Sequence, residues 1–273
     1  MYSSQVFNLL THEYSLILAT TEQHYQIIQN IRKNIILTKY PEFEKTKEYN
    51  EYLFNQDDKQ SFIYLLKHND SKHYVGSVRI FFINTRTPIQ LLPMQKDLKV
   101  NNIDNLTQDL PIVEISRGAL ITNLPKHKIL NSLQLRTYLT YGLMVATRIN
   151  FILNHYSRVL SIMEPSLHRI LQRQKVNFKQ IGDPIDYFGI RTPYAIERKK
   201  LLRDTEETMG QITRYYLKQL CQNPEPFWQF IDNNPYLERS DIQLDRICQL
   251  FKEYGDDVDL ELLLGEKEII TEV

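Results

Sequence analysis

Glycine and cysteine are scarce in this chain: eight glycines and two cysteines in 273 residues, against 17 tyrosines and 12 phenylalanines. So few flexible joints and so many rings exclude wholesale disorder and require an aromatic-rich core. Neither GxGxxG nor GxxxxGK followed by Ser or Thr occurs, which excludes those phosphate-cradling loops. HExxH and Gly-x-Ser-x-Gly are missing too, and the seven histidines stand at no ligand spacing, so neither a metal nor a serine nucleophile is expected. Cys221 and Cys248 belong to no CxxC pattern, so no zinc site or disulfide is expected and a reducing cytoplasm fits best. Long apolar runs are absent, and Leu16-Ile17-Leu18-Ala19 is too short for an export signal or a membrane span.

Net charge is lacking overall, with 33 basic and 33 acidic residues, yet the balance is uneven along the chain. From Ile115 to Met163 there is no Asp or Glu, against Arg117, Lys126, Lys128, Arg136, Arg148 and Arg158. Carried on to Arg203, the stretch holds fifteen cations and four acids, a formal +11. From Asp204 to Val273 sixteen acids face six cations, a formal −10. This reversal predicts a main domain over residues 1–203 and an acidic helical extension over 204–273. The acid-free region suits a strongly acidic protein partner. No interleaved aromatic and basic motif points to nucleic acid.

The hydrophobic pattern reads as α+β with one mixed sheet. A strand at Tyr14 to Ala19 leads into a helix opened by Thr20-Thr21-Glu22, with Tyr25, Ile27, Ile28, Ile31 and Ile35 at helical spacing. Lys39 to Asp57 reads as surface loop or short helices. Strands at Ser61 to Lys67 and His73 to Ile83 flank the turn residues Asn69-Asp70-Ser71. A long connection, Thr85 to Leu110, precedes a strand at Ile112 to Ile121 and a helix from about Lys128 to His155. Arg158 to Met163 is a further strand, and Pro165 starts a helix. Val176 to Ile181 and Ile185 to Ile190 flank Gly182-Asp183-Pro184 as a last hairpin.

Chemistry concentrates in Val113-Glu114-Ile115-Ser116-Arg117. Glu114 and Arg117 face opposite sides of an ideal strand, so a bulge near Ser116 is needed to bring them to one cleft. There Glu114 could accept a proton from a nucleophile while Arg117 met a carboxylate or developing negative charge. Otherwise they are two solvated charges. Arg79, among β-branched residues, needs either exposure or a partner, and Glu114 across the sheet could be one. Met163-Glu164-Pro165-Ser166 joins a strand end to a helix start, where Glu164 could cap the helix or face a ligand. His168 on that helix could donate a proton.

These stretches carry a resemblance. Val75-Gly76-Ser77-Val78-Arg79, Glu114-Ile115-Ser116-Arg117 and Met163-Glu164-Pro165-Ser166-Leu167-His168-Arg169, continuing to Gly189-Ile190-Arg191-Thr192-Pro193-Tyr194, resemble the PEP-CTERM/exosortase system-associated acyltransferases. Those proteins are similar to acyl-homoserine-lactone synthases and N-acyl amino acid synthases. The likeness spans about residues 14 to 200, and Pro226 to Ile231 is similar to the family's C-terminal helical piece. It implies a GNAT-like fold and transfer of a fatty acyl group from acyl carrier protein, or from acyl-CoA, to an amine. No tightly bound cofactor is implied. Glu114, Ser116 and Arg117 match the family's Glu-x-Ser-Arg core, Arg79 its strand arginine, and Arg32 its N-terminal helix arginine. Of the acidic pattern Glu-x-Asp-x-x-Asp, Asp58 matches the last member, while Leu53 and Asn55 stand at the other two. That departure argues against S-adenosylmethionine as the amine donor and so against a lactone-forming autoinducer synthase. No glycine follows Ile121 until Gly142, where CoA-binding members of the fold place a glycine-rich pyrophosphate loop. A non-catalytic module that binds acyl carrier protein is the reading from another class.

Overall fold

The computed structural model describes residues 2–84, 91–98, 111–154, 156–203 and 207–264. Most of the connection from Thr85 to Leu110, His155 at the end of the expected helix, and the end of the acidic tail lie outside the described residues. The chain opens with α1 (Tyr2–Asn8) and a wide helical turn, then β1 (Tyr14–Leu18) and α2 (Glu22–Lys39). Thr21 caps α2 by accepting from the His24 amide at 3.2 Å. Short pieces follow over the region read as loop: a 3-10 turn (Pro41–Lys45), α3 (Tyr49–Leu53) and α4 (Gln56–Lys59). The hairpin β2 (Phe62–His68) and β3 (Tyr74–Ile83) comes next, then α5 (Pro93–Leu98), β4 (Ile112–Leu120), α6 (Ser132–Leu153), β5 (Arg158–Met163) and α7 (Pro165–Arg173). The rest is β6 (Lys179–Gln180), β7 (Ile185–Asp186), β8 (Ile190–Glu197), α8 (Arg198–Arg203), α9 (Glu207–Gln222), α10 (Glu225–Asp232), α11 (Leu244–Tyr254) and α12 (Leu260–Leu264).

The strands form one mixed sheet in the order β1-β2-β3-β4-β5-β8-β6, with β7 also on β8. The β4–β5 pair is parallel, and α6 makes the crossover between them. This α+β arrangement follows the burial pattern. Sixteen of the 22 residues of α6 are buried, because the helix is covered by the sheet on one side and by α9 on the other. On the opposite face Ile28 and Ile31 of α2 pack on Ile63 and Leu65 of β2. Gly76 lies where a side chain has no room: a β-carbon there would come within 2.8 Å of the Ala119 carbonyl on β4.

Two expectations are corrected. Val176 to Ile181 and Ile185 to Ile190 do not pair with each other; their short remnants β6 and β7 both pair with β8. β8 had no counterpart in the hydrophobic pattern because Pro193 lies within it and lowers its strand signal. It is nevertheless the antiparallel neighbour of β5 along the whole of that strand. The cysteines are not free: Cys221 of α9 and Cys248 of α11 are disulfide-bonded, with Cα atoms 5.1 Å apart. Packing of α11 on α9 brings them together, which a spacing of 27 residues could not show.

Residues after Leu201 share the main core. Phe227 and Phe230 of α10 meet Phe62 of β2 at ring distances of 6.1 and 4.7 Å. Arg148, fully buried in α6, donates to the Leu201 and Leu202 carbonyls and, at 3.3 Å, to Thr213 of α9. Burial lowers its pKa to about 10, which leaves it charged at neutral pH. Among the described residues no helix is long and apolar enough to cross a membrane.

Candidate active site

The β3–β4 register supplies the bulge that the sequence required. Ser77 faces Ala119 and Arg79 faces Ser116, so Val78 on β3 stands against both Arg117 and Gly118 on β4. Arg117 takes the strain, with φ of 51°, a left-handed conformation that costs a non-glycine residue about 1–2 kcal/mol. The extra residue breaks the strand alternation, and Glu114 and Arg117 line one small cavity. Just before the bulge β4 also leaves β5. Their parallel pairing runs only from Ile112–Arg158 to Ile115–Ser161, and the strands separate beyond it.

Arg32, Arg79 and Arg117 converge on Asp58. Arg32 meets it in a two-pronged contact, both nitrogens 2.9 Å from a carboxylate oxygen, and also donates to the Leu53 carbonyl at 2.8 Å. Arg117 reaches Oδ2 at 2.8 Å and Arg79 reaches Oδ1 at 3.4 Å. Asp58 itself is fixed by a reciprocal cap: its carboxylate accepts from the Asn55 amide at 3.0 Å, and the Asn55 side chain accepts from the Asp58 amide at 3.2 Å. Asn55, which departs from the family's acidic pattern, therefore orients the aspartate. Burial pushes the Asp58 carboxyl up, but Arg32, Arg117 and Arg79 pull it further down, well below the usual carboxylate range. Arg117 is lowered to about 10, by burial first and then by Arg79 and Arg32, against the pull of Asp58. Three cations on one anion leave a surplus of positive charge. Arg117 is the most open of the three, its side chain 13% exposed against 2% for the others.

Glu114 is buried on β4, and one carboxylate oxygen accepts from the Met94 amide of α5 at 2.8 Å. Its strand neighbour is Phe81. The cross-sheet pairing proposed between Arg79 and Glu114 falls instead on Ser116, whose hydroxyl accepts from Arg79 Nε at 3.0 Å.

Two cavities of opposite character meet at this bulge. One, of about 520 Å³, opens between the separated strands and is walled by Ile115, Leu143, Met144, Met163, Leu171 and Phe178. The other, of about 80 Å³, holds Arg79, Glu114, Tyr187 and Met94. Both are lined by Tyr52, Ser116, Arg117, Ile162 and Arg191, so a molecule in each would touch the same residues.

The remaining expected residues divide. Met163 is buried against the large cavity. Glu164 precedes the first residue of α7 and makes no capping hydrogen bond; it lies 3.4 Å from Lys39 and 3.7 Å from Arg191, and lines the large cavity. His168 stacks on Tyr194 at 4.2 Å and contacts the Phe178 carbonyl at 3.0 Å, and it lines neither cavity.

Tyr52, Tyr187, Phe188 and Arg191 were not singled out from the sequence as site residues. Phe188, with φ of 51°, inserts among Tyr40, Phe43 and Tyr52 at ring distances of 4.8–5.6 Å. Arg117 lies over the Tyr52 ring at 5.6 Å and Arg191 over Tyr187 at 5.8 Å. Among the described residues the buried Arg191 Nε has no hydrogen-bond partner. The signal for it was present in Gly189-Ile190-Arg191, where a cation follows a glycine at the mouth of a turn.

No glycine loop precedes α6. Two amides at its N-terminus are taken up by a reciprocal cap: Asn131 accepts from the Gln134 amide at 2.9 Å and Gln134 from the Asn131 amide at 3.1 Å. These amides are not free for a pyrophosphate.

No protein-family model and no curated protein matches the chain. Among solved structures it is similar to FeeM, an N-acyl amino acid synthase from uncultured soil microbes, at 12% identity over 72% of this chain and 97% of that one, TM-score 0.47. It is similar also to the acyl-homoserine-lactone synthase LasI, at 15% identity over 72% and 94%, TM-score 0.49. A third is BjaI, a CoA-dependent acyl-homoserine lactone synthase, at 16% identity over 73% and 87%, TM-score 0.46.

Proposed function

We propose that this protein is an N-acyltransferase that moves a fatty acyl group from a thioester, borne by acyl carrier protein or by CoA, to a small amine such as an amino acid. The observation that carries the reading is the meeting of a large apolar cavity and a small polar one at Ser116 and Arg117. An acyl chain of many methylenes gains about 0.8 kcal/mol for each one buried, so the large cavity favours it. The small cavity has room for only a few waters' volume and suits the polar head of an amine.

In this reading the amine nitrogen attacks the thioester carbonyl at the junction. Glu114 takes the proton that the nitrogen must lose, directly or through water, and its Met94 amide contact holds the carboxylate in place. Arg117, charged at neutral pH and short of counter-charge, stabilises the oxyanion of the tetrahedral intermediate. The carbon–sulfur bond then breaks and the thiolate leaves with no covalent enzyme intermediate. Arg32, Arg79 and Asp58 set the position and field of Arg117, and Arg191 offers a second cation for an acceptor carboxylate. The Asn131 cap over the α6 amides supports a carrier protein over free CoA as donor.

Mass spectrometry of lipid extracts from cells overproducing the protein tests the reading. A new N-acylated amine that disappears in Glu114→Gln cells is expected; extracts indistinguishable from an empty-vector control contradict it.

A further inference from the structure

Ile129 and Leu133 are exposed large aliphatic residues, at 76% and 71%, four positions apart across the start of α6. Their display is fixed by the local chain. The His127 ring Nδ1 accepts from the Ile129 amide at 3.1 Å and from the Leu130 amide at 2.9 Å, while Nε2 contacts Glu13 at 3.2 Å. Lys126 and Lys128, both exposed, precede the pair, and the chain from Ile115 to Met163 holds no acid. Leu130 and Leu124 turn inward onto the core, so the outward pair is not a frayed end.

This patch sits beside the large cavity. Arg136, one turn into α6, lines that cavity and donates back to the Ile121 and Thr122 carbonyls at 3.1 and 2.9 Å, tying the loop that bears the lysines to the cavity wall. On the far side α7, which contributes Leu167 and Leu171 to the wall, exposes Arg169 and Arg173. An apolar contact point with neighbouring cations, one helical turn from the cavity-lining Arg136, fits a partner with an acidic surface and an apolar spot of its own.

We infer that Ile129 and Leu133, with Lys126 and Lys128 as rim, dock an acidic helical carrier protein whose thioester-bound chain enters the large cavity. The inference rests on the acyl-transfer reading above and names the surface through which the donor arrives. A membrane surface fits less well, because the next residues along this face, Arg136, Thr137 and Thr140, are polar, and two aliphatic side chains bury too little area to hold a helix in lipid. The small patch matches a transient encounter, which a carrier that must leave after each turnover needs.

The test uses the full chain with one long acyl group on two donors, a bacterial acyl carrier protein and N-acetylcysteamine. The Ile129→Ser/Leu133→Ser and Lys126→Glu/Lys128→Glu variants alter exposed positions and leave the cavities intact. They are expected to raise KM for the carrier-bound donor about tenfold and to leave the small thioester unchanged. Equal kinetics of wild type and variants on the carrier-bound donor overturn the inference. So does loss of sedimentation with anionic phosphatidylglycerol vesicles in variants whose kinetics on the carrier are normal. Binding of the carrier that is lost in the variants, with transfer from neither donor in the wild type, supports the surface and contradicts the acyl-transfer reading instead.

Discussion

At the scale of the residue, Asp58 is the pivot of the site. Its buried carboxylate receives Arg32, Arg79 and Arg117, so removing its charge leaves largely buried guanidinium groups uncompensated. Asp58→Asn is expected to lower stability by about 3–5 kcal/mol, the usual effect of breaking a buried ion pair, measured by chemical denaturation. Because its folded-state pKa lies below the unfolded value near about 3.9, its contribution is full above that pH and is lost as pH falls through the folded value. Wild-type stability should therefore decline below about pH 4, and the variant should lack that component. Part of this was legible. Arg32 falls on the face of α2 that buries Ile28, Ile31 and Ile36, and an arginine on an apolar face calls for a buried partner. Which partner was hidden, because Asp58 lies in a run of short polar pieces where periodicity carries no path.

Among the elements, the bulge in β4 decides the chemistry. Sequence alternation set Glu114 and Arg117 on opposite faces, and it is the extra residue opposite Val78 that joins them in one cavity, next to where β4 leaves β5. Long periodic elements such as α2 and α6 could be read directly. β8 could not, since Pro193 masks a strand whose place is fixed by pairing with β5 rather than by its own propensity. The cap on α6 can be tested by Asn131→Ala, which should cost about 1 kcal/mol in denaturation experiments. The C-terminal helices can be tested in the same way. Phe227 and Phe230 pack on Phe62 just after the Asp58 turn, and Phe227→Ala should cost about 3–5 kcal/mol, evidence that α10 belongs to the main core.

For the whole molecule, the opposed charge of residues 115–203 and 204–273 bears on how it would meet a charged partner. Arg117, Arg136 and Arg191 of the basic stretch line the large cavity, and transfer from an acidic carrier should weaken as salt rises from about 0.05 to 0.5 M, while transfer from an uncharged thioester should change little. Charge blocks are visible in sequence; that three of these arginines line an apolar cavity is a product of the fold. The central claim is that Glu114 assists amide formation where the two cavities meet. Its most direct test is the single-turnover rate of amide formation by Glu114→Gln against wild type, at saturating acyl thioester and amine. The account predicts a fall of about a hundredfold or more with an unchanged unfolding midpoint, and a rate within about twofold of wild type in a folded variant would contradict it.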